Sequence, residues 1–299
     1  MVHSKDAFSR MHPIINFLYF GFVFAFSMIF MHPIFLVISF VSALIYSIYL
    51  KGRKAVRFSL LYMLPMMLIT ALINPAFNHE GATILMYFES GNPLTLESIV
   101  YGVAASMMLI TIVTWFSCYN EVMTSDKFVY LFGRVIPALS LILSMVLRFV
   151  PKFKAHLKLV SNAQKCVGRD PSQGSLIRRV RNAVKILSVM VTWALENAIE
   201  TADSMKSRGY GLPGRTAFSI YRFDRRDKRT LAVIVALGAA VIACAVMGGA
   251  EHRYFPTVRY NLDSPLTWIS TVCYLALCLT PITINATEDR KWKAIKSAA

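Results

Sequence analysis

The chain is poor in acid: 16 Asp and Glu stand against 32 Lys and Arg. It also lacks the short motifs that hold reactive groups. No G-x-x-x-x-G-K-[ST] run occurs, so any nucleotide chemistry must be borrowed from another chain. Neither G-x-S-x-G nor H-E-x-x-H is present, which removes two common hydrolase signatures. The five cysteines, Cys118, Cys166, Cys244, Cys273 and Cys278, form no C-x-x-C and read as packing residues in a reducing or lipid setting. The six histidines are scattered without metal-ligand spacing. His12-Pro13 and His32-Pro33 read instead as helix starts at a membrane edge.

Charge of either sign makes up only 16% of the residues, while 56% are hydrophobic, which excludes an ordinary soluble domain. Several apolar runs approach the ~20 residues that a helix needs to cross a bilayer. They cover residues 14–30, 34–50, 58–73, 99–118, 231–247 and 266–284. The third carries Pro65, which a membrane helix accommodates as a kink. Six spans is the expected count, with five or seven as the alternatives because residues 135–150 are also apolar. The first run follows Lys5 and Arg10 but has no small-x-small cleavage site after it, so it reads as a retained span. The expected fold is all-α: a polytopic helical membrane protein with about six transmembrane helices.

Basic residues set the expected orientation. Lys51, Arg53, Lys54 and Arg57 fill the gap after the second span, and Arg290, Lys291, Lys293 and Lys296 end the chain. Residues 75–97 contain no lysine or arginine, only Glu80, Glu89 and Glu97. Between the fourth and fifth spans lie 20 of the 32 basic residues. With both termini cytoplasmic, every basic segment falls on one side and residues 75–97 fall on the other; Arg253 and Arg259, in the outer loop 251–263, are the exception. The net charge of +16 therefore reads as topology determinants beside anionic headgroups. No nucleic-acid motif accompanies it, so nucleic acid is not an expected partner.

The chain divides into residues 1–118 with four spans, a cytoplasmic or membrane-surface module at 119–229, and residues 230–299 with two spans and a basic tail. The module is too long for a simple loop. Leu147-Arg148-Phe149-Val150-Pro151 interrupts an apolar stretch with proline and leads into a helix ending near Cys166, stopped by Gly168 and Pro171. A second helix is expected over 175–207, basic at Arg178, Arg179 and Arg181 and then apolar through Ile186, Leu187, Val189, Met190 and Trp193. Glu196, Glu200 and Asp203 follow at i, i+4 and i+7, an acidic stripe that a solvated face balancing nearby lysines would also explain. Gly209 and Gly211 stop this helix, which puts Arg208 on its last turn. An arginine fork there suits a partner's carboxylates or carbonyls, and it also suits an ordinary basic helix cap.

These residues carry a resemblance. The stretch from Ala202-Asp203-Ser204-Met205-Lys206 through Ser207-Arg208-Gly209-Tyr210-Gly211, with Arg215-Thr216, is similar to the second Ala-Arg-Gly-type motif of the transmembrane T component of energy-coupling factor (ECF) transporters. Leu147–Pro151 followed by Asn162-Ala163-Gln164-Lys165-Cys166-Val167-Gly168 resembles the region of that family's first motif. Here the chain departs from the pattern: Val167 stands where an arginine usually precedes the glycine, and Arg169 follows it. Either Arg169 supplies the charge from a shifted position, or that contact is partly lost.

The resemblance implies a non-catalytic subunit of an ABC importer in the inner or plasma membrane of a prokaryote. Two cytoplasmic ATP-binding-cassette ATPases would bind the ATP and Mg; the chain itself would hold no cofactor and no metal. Ser207, Arg208 and Gly209 would dock one ATPase, and Cys166, Val167, Gly168 and Arg169 the other. Ala163, Gln164, Glu196, Glu200, Asp203 and Arg215 would support the coupling helices. A small membrane-embedded S component would bind the vitamin or transition metal. Two other classes stay open: an integral-membrane enzyme processing lipid with Glu196, Glu200, Asp203 and Arg208, and a conventional ABC permease with its own substrate path. Against the permease, no expected span shows the buried ionisable residues that mark such a path.

Overall fold

A computed structural model describes residues 6–87, 92–133, 136–169, 172–213, 221–260 and 264–298. The chain forms two compact units, Met1–Thr124 with Tyr221–Ala299, and Ser125–Ile220. In the first unit, α1 (Pro13–Ile29) and α2 (Pro33–Lys51) both begin on a His-Pro pair. Proline at the first helical position gives up no ladder bond, and His12 Nδ1 accepts the Ile14 N–H at 3.3 Å. A short helix, α3 (Arg53–Phe58), runs through a π-helical turn (Ser59–Met63) into α4 (Leu64–Phe77). The wide turn sits just before Pro65, whose missing N–H and bulky ring do not fit a regular α ladder. α5 (Leu96–Val122), α9 (Arg225–Cys244, with a π-helical turn at Ala245–Gly249) and α10 (Pro265–Ala298) complete this unit.

Among the described residues, five helices are long and apolar enough to cross a membrane, by length and composition: Pro33–Lys51, Arg53–Phe77, Leu96–Val122, Arg225–Gly249 and Pro265–Ser297. The protein is an all-α polytopic membrane protein. The first expected span forms a helix of 17 residues, a rise of about 25 Å against a hydrocarbon core of ~30 Å. The expected six are therefore five of full length and one shorter.

The core of this unit gathers aromatic rings from four helices. Tyr19, Phe20 and Phe26 of α1, Phe35 and Tyr46 of α2, Trp115 of α5 and Tyr274 of α10 are buried together. Lipid offers no water to compete, so polar groups within such a core must find each other. Ser27 and Ser39 share a hydrogen bond of 2.8 Å, Trp115 Nε1–H donates to Ser39 Oγ at 3.0 Å, and Ser27 also meets the Tyr274 hydroxyl at 3.2 Å. These bonds tie α1, α2, α5 and α10 at positions where methyl groups alone would slide.

The connections gather at one end. Strands β1 (Ile84–Tyr87) and β2 (Pro93–Thr95) pair between α4 and α5, and β3 (His252–Arg253) and β4 (Arg259–Tyr260) pair between α9 and α10. Ala82 N–H donates to the Pro256 carbonyl at 3.0 Å, and the Tyr254 hydroxyl donates to the Met31 carbonyl in the α1–α2 turn. Gly81, at φ +141°, lies where a Cβ would stand 2.6 Å from Glu97 Oε2, so the backbone can approach the carboxylate that holds Thr83. At the opposite end Tyr49 donates to Asp289 at 3.0 Å, Arg226 pairs with Glu288 at 3.5 Å, and Lys51 donates to Ser117 at 2.7 Å. The basic segment after α2 thus lies away from the hairpins.

His32, at the hairpin end, is fully buried, and neither ring nitrogen has a hydrogen-bond partner among the described residues. Burial first, and then the nearby His252, hold its pKa below the ordinary 6.5. Below that value the unfolded chain takes a proton that the folded chain resists. Its stabilising contribution is therefore present above the ordinary pKa and lost as the pH falls through the lowered one. We expect the melting temperature in detergent to fall on going from about pH 7.5 to about pH 5, and to fall less in His32→Phe. An identical acid response in the variant would assign the effect elsewhere.

Candidate functional site

The unit Ser125–Ile220 contains α6 (Ser125–Gly133), α7 (Pro137–Cys166) and α8 (Leu176–Ser207). The expected break at Pro151 does not occur: α7 runs through it as one helix of 30 residues. One proline removes one ladder bond, and the packing just beyond it offsets that loss. Phe153 meets Trp193 edge-on at 5.2 Å, His156 stacks on the same Trp193 at 3.9 Å, and Lys152 Nζ donates to Asn197 Oδ1 at 2.7 Å. Val160, Ile186 and Met190 form a small buried cluster further along. Rising numbers on α7 meet falling numbers on α8, so the two helices cross with opposite sense. The second helix begins and ends where its sequence indicates, with Ser175 as N-cap and Arg208 as C-cap, and its 32 residues extend about 48 Å.

Both helices end in the same way. At α7 the Gly168 N–H donates to the Lys165 carbonyl at 2.9 Å, and the Arg169 N–H to the Gln164 carbonyl at 2.9 Å. At α8 the Gly209 N–H donates to the Lys206 carbonyl at 2.9 Å, and the Tyr210 N–H to the Met205 carbonyl at 3.0 Å. This pair of crossed bonds is the Schellman motif, closed by glycine in the left-handed region; Gly168 and Gly209 have φ of +74° and +73°. The C-cap dihedrals are also alike, −91° and 13° at Val167 against −85° and 10° at Arg208. Register follows directly: Cys166 corresponds to Ser207, Val167 to Arg208, Gly168 to Gly209 and Arg169 to Tyr210.

The tip residues Cys166, Val167, Gly168, Arg169, Ser207 and Arg208 are exposed, and Gly209 is half-buried. Ala163 is exposed, while Gln164 is half-buried with its side-chain oxygen unpartnered among the described residues. Glu196, Glu200 and Asp203 lie exposed on α8. Arg215 and Thr216, like Pro171, lie outside the described residues. Among the described residues, no group of three His, Cys, Asp or Glu side chains is placed to hold a metal ion.

The sequence shows helical spacing of Phe153, Leu157, Val160, Gln164 and Val167 on the first helix and an apolar face on the second, and the structure shows how these faces lie. On α8 the exposed apolar residues Ile177, Val180, Val184, Leu187, Val191 and Leu195 repeat at helical spacing as one stripe. Where α7 and α8 cross, Val150, Phe153, Leu157, Leu187, Met190 and Ala194 line a groove of about 450 Å³. A contiguous apolar surface of this kind marks contact with a protein or a membrane. Both halves were legible as amphipathic periodicity; that they meet in a groove depends on how the helices cross.

A polytopic helical membrane protein that carries two crossed, capped helices in a separate unit is thus defined. The profile of the CbiQ family, described as a cobalt transport protein, matches residues 9–218, and the chain belongs to that family. Among curated relatives, it is similar to the energy-coupling factor transporter transmembrane protein EcfT of Bacillus selenitireducens, 36% identical over 112 residues, which are 37% of this chain and 42% of the relative. Against EcfT 1 of Listeria monocytogenes it is 26% identical over 208 residues, 65% of this chain and 74% of the relative. The protein of the same name from Exiguobacterium sibiricum is 26% identical over 204 residues, covering 64% and 74%. In the more identical matches, to B. selenitireducens and Lactobacillus helveticus, the chain spans about two fifths of the relatives' length (42% and 36%). The T-component resemblance read from the sequence is borne out.

Proposed function

We propose that this chain is the energy-coupling transmembrane subunit of an ECF-type ABC importer. It is placed in a prokaryotic cell membrane with both termini cytoplasmic, and it performs no hydrolysis itself. Two cytoplasmic ATPases bind ATP and Mg and receive the tips of α7 and α8. The apolar groove and stripe of the same helices hold a membrane-embedded S component, whose substrate is a vitamin or a transition metal. Closure of the ATPase pair moves the tips, and two rigid helices that cross and pack on Trp193 carry that displacement to the S component. One observation supports this reading most: two long helices of one unit end in matching exposed tips 41 residues apart, from 167 to 208. A single cap needs no partner to explain it; a matched pair suits two receiving sites.

The test is co-purification of the tagged full chain with its ATPases, followed by ATP-dependent uptake in vesicles. We expect two ABC ATPases per chain and no ATP hydrolysis by the chain alone. Hydrolysis without partners, or a complex devoid of ABC ATPases, would overturn the proposal.

The acidic stripe separates coupling from catalysis. Glu200→Gln keeps shape and hydrogen bonding and removes acid–base capacity. An enzyme using Glu200 as general acid or base would lose ~10²–10⁴-fold in rate. We expect less than about a three-fold change in uptake, since no proton transfer is assigned to this exposed residue. A loss of two orders of magnitude in a fully assembled complex would favour the lipid-processing enzyme instead.

A further inference from the structure

Arg253 and Arg259 break the charge pattern of the chain. The connections at the hairpin end, residues 30–33, 75–97 and 245–265, hold no other lysine or arginine. The structure sets these two directly opposite each other across β3 and β4, and both line an open cavity of about 1360 Å³. Residues directly opposite share one face of a hairpin, and like charges so placed repel. Among the described residues neither guanidinium has an ion-pair partner. Nor do the arginines hold the hairpin in place. That is done by the Tyr254 hydroxyl, which donates to the Met31 carbonyl, and by the Ala82 N–H, which donates to the Pro256 carbonyl. Two unpaired like charges on a hairpin anchored by other groups suit an anion between them.

We propose that this cavity binds the phosphodiester headgroup of a membrane lipid, clasped between Arg253 and Arg259. The proposal needs only the membrane class of the protein and is independent of the coupling reading. Guanidinium forks bind phosphate oxygens in pairs, so a phosphodiester here turns the repulsion of the two arginines into a shared attraction. The backbone adds to it. Pro33 and Leu96, the first residues of α2 and α5, also line the cavity, and a helix N-terminus carries partial positive charge. At α2 the side chain of the N-cap, His32, makes no capping bond. Glu251 lines the cavity as well. Two arginines against one carboxylate leave one positive charge, which a singly charged phosphodiester cancels and a doubly charged inorganic phosphate exceeds. The remaining wall favours a lipid over a free ion. Leu96 and Val100 belong to the first turns of a helix long and apolar enough to span the membrane, so the cavity lies at headgroup depth beside hydrocarbon.

The experiment titrates the full chain, in a neutral detergent, with phosphatidylglycerol and follows hydrogen exchange over residues 251–260. We expect the lipid to slow exchange there in the wild type. Arg253→Gln with Arg259→Gln should need about ten-fold more lipid for the same protection, since each arginine beside anionic headgroups contributes several-fold. Arg259→Lys alone, which keeps the charge and gives up the fork, should lie between. Arg290→Gln with Lys293→Gln removes the same charge from the basic tail and should leave the titration unchanged. Diacylglycerol with the same chains, and millimolar inorganic phosphate, should give no protection. Without lipid the double arginine variant should melt at or above the wild-type temperature, because a repulsion has been removed; a lower value would make the arginines structural and overturn the proposal. Equal protection in the wild type and the arginine variants, protection by diacylglycerol, or an equal loss in the tail variant would also overturn it. Protection by inorganic phosphate in place of the lipid would assign the cavity to a soluble anion and overturn the lipid headgroup as its occupant.

Discussion

Arg208→Glu is expected to lower recovery of ATPase with the purified chain at least ten-fold at matched salt. Arg208 is the C-cap of α8, and its backbone N–H is engaged with the Ser204 and Lys206 carbonyls. The fold of the tip is set by those bonds and by Gly209, so reversing the side-chain charge leaves its shape in place. Placing a carboxylate at a helix C-terminus costs about 0.3–1 kcal/mol through the dipole. Truncating one partner of a buried, hydrogen-bonded charge pair at an interface costs about 2–5 kcal/mol, and reversal adds repulsion. The interface term dominates, so the chain should remain folded and lose its partner. Recovery at the wild-type level would mean that Arg208 is only a helix cap.

Trp115→Ala is expected to have the largest effect on folding. Trp115 is fully buried, with ring centroids 6.1 Å from Tyr19, 6.3 Å from Phe20 and 6.3 Å from Tyr46. Its Nε1–H donates to Ser39, which also bonds Ser27. Emptying an aromatic site in a close-packed core costs about 3–5 kcal/mol, because its surroundings collapse only in part. The loss of one interhelical hydrogen bond is a smaller part, about 0.6 kcal/mol on average in membranes. Trp115→Phe, which keeps a ring and gives up the N–H, should therefore sit much closer to wild type than Trp115→Ala. The measurement is the melting temperature and yield in detergent, with ATPase retention counted per folded chain. An alanine variant that melts with wild type would mean that this core does not hold the helices together.

The sequence by itself determined the membrane class, the positions of the apolar helices and the ends of α8. These are local consequences of physics: a backbone in hydrocarbon must satisfy its own hydrogen bonds over ~20 apolar residues. A glycine free to adopt positive φ likewise stops a helix wherever it stands, as Gly209 does. It also carried Arg208 and the motif around it, because an arginine next to such a stop is a local pattern. Tertiary structure decided the rest. Whether Pro151 ends a helix depended on Trp193, 42 positions away, packing on Phe153 and His156. The cap register that makes Val167 the counterpart of Arg208 is by contrast local, since the Gly168 and Arg169 amides reach carbonyls in the last turn of α7 itself. The core that joins Ser27, Ser39, Trp115 and Tyr274, and the groove between α7 and α8, depended on which faces meet. Hydrophobic burial is non-directional, so periodicity marks which face of a helix is buried, and only the packed helices select its partner.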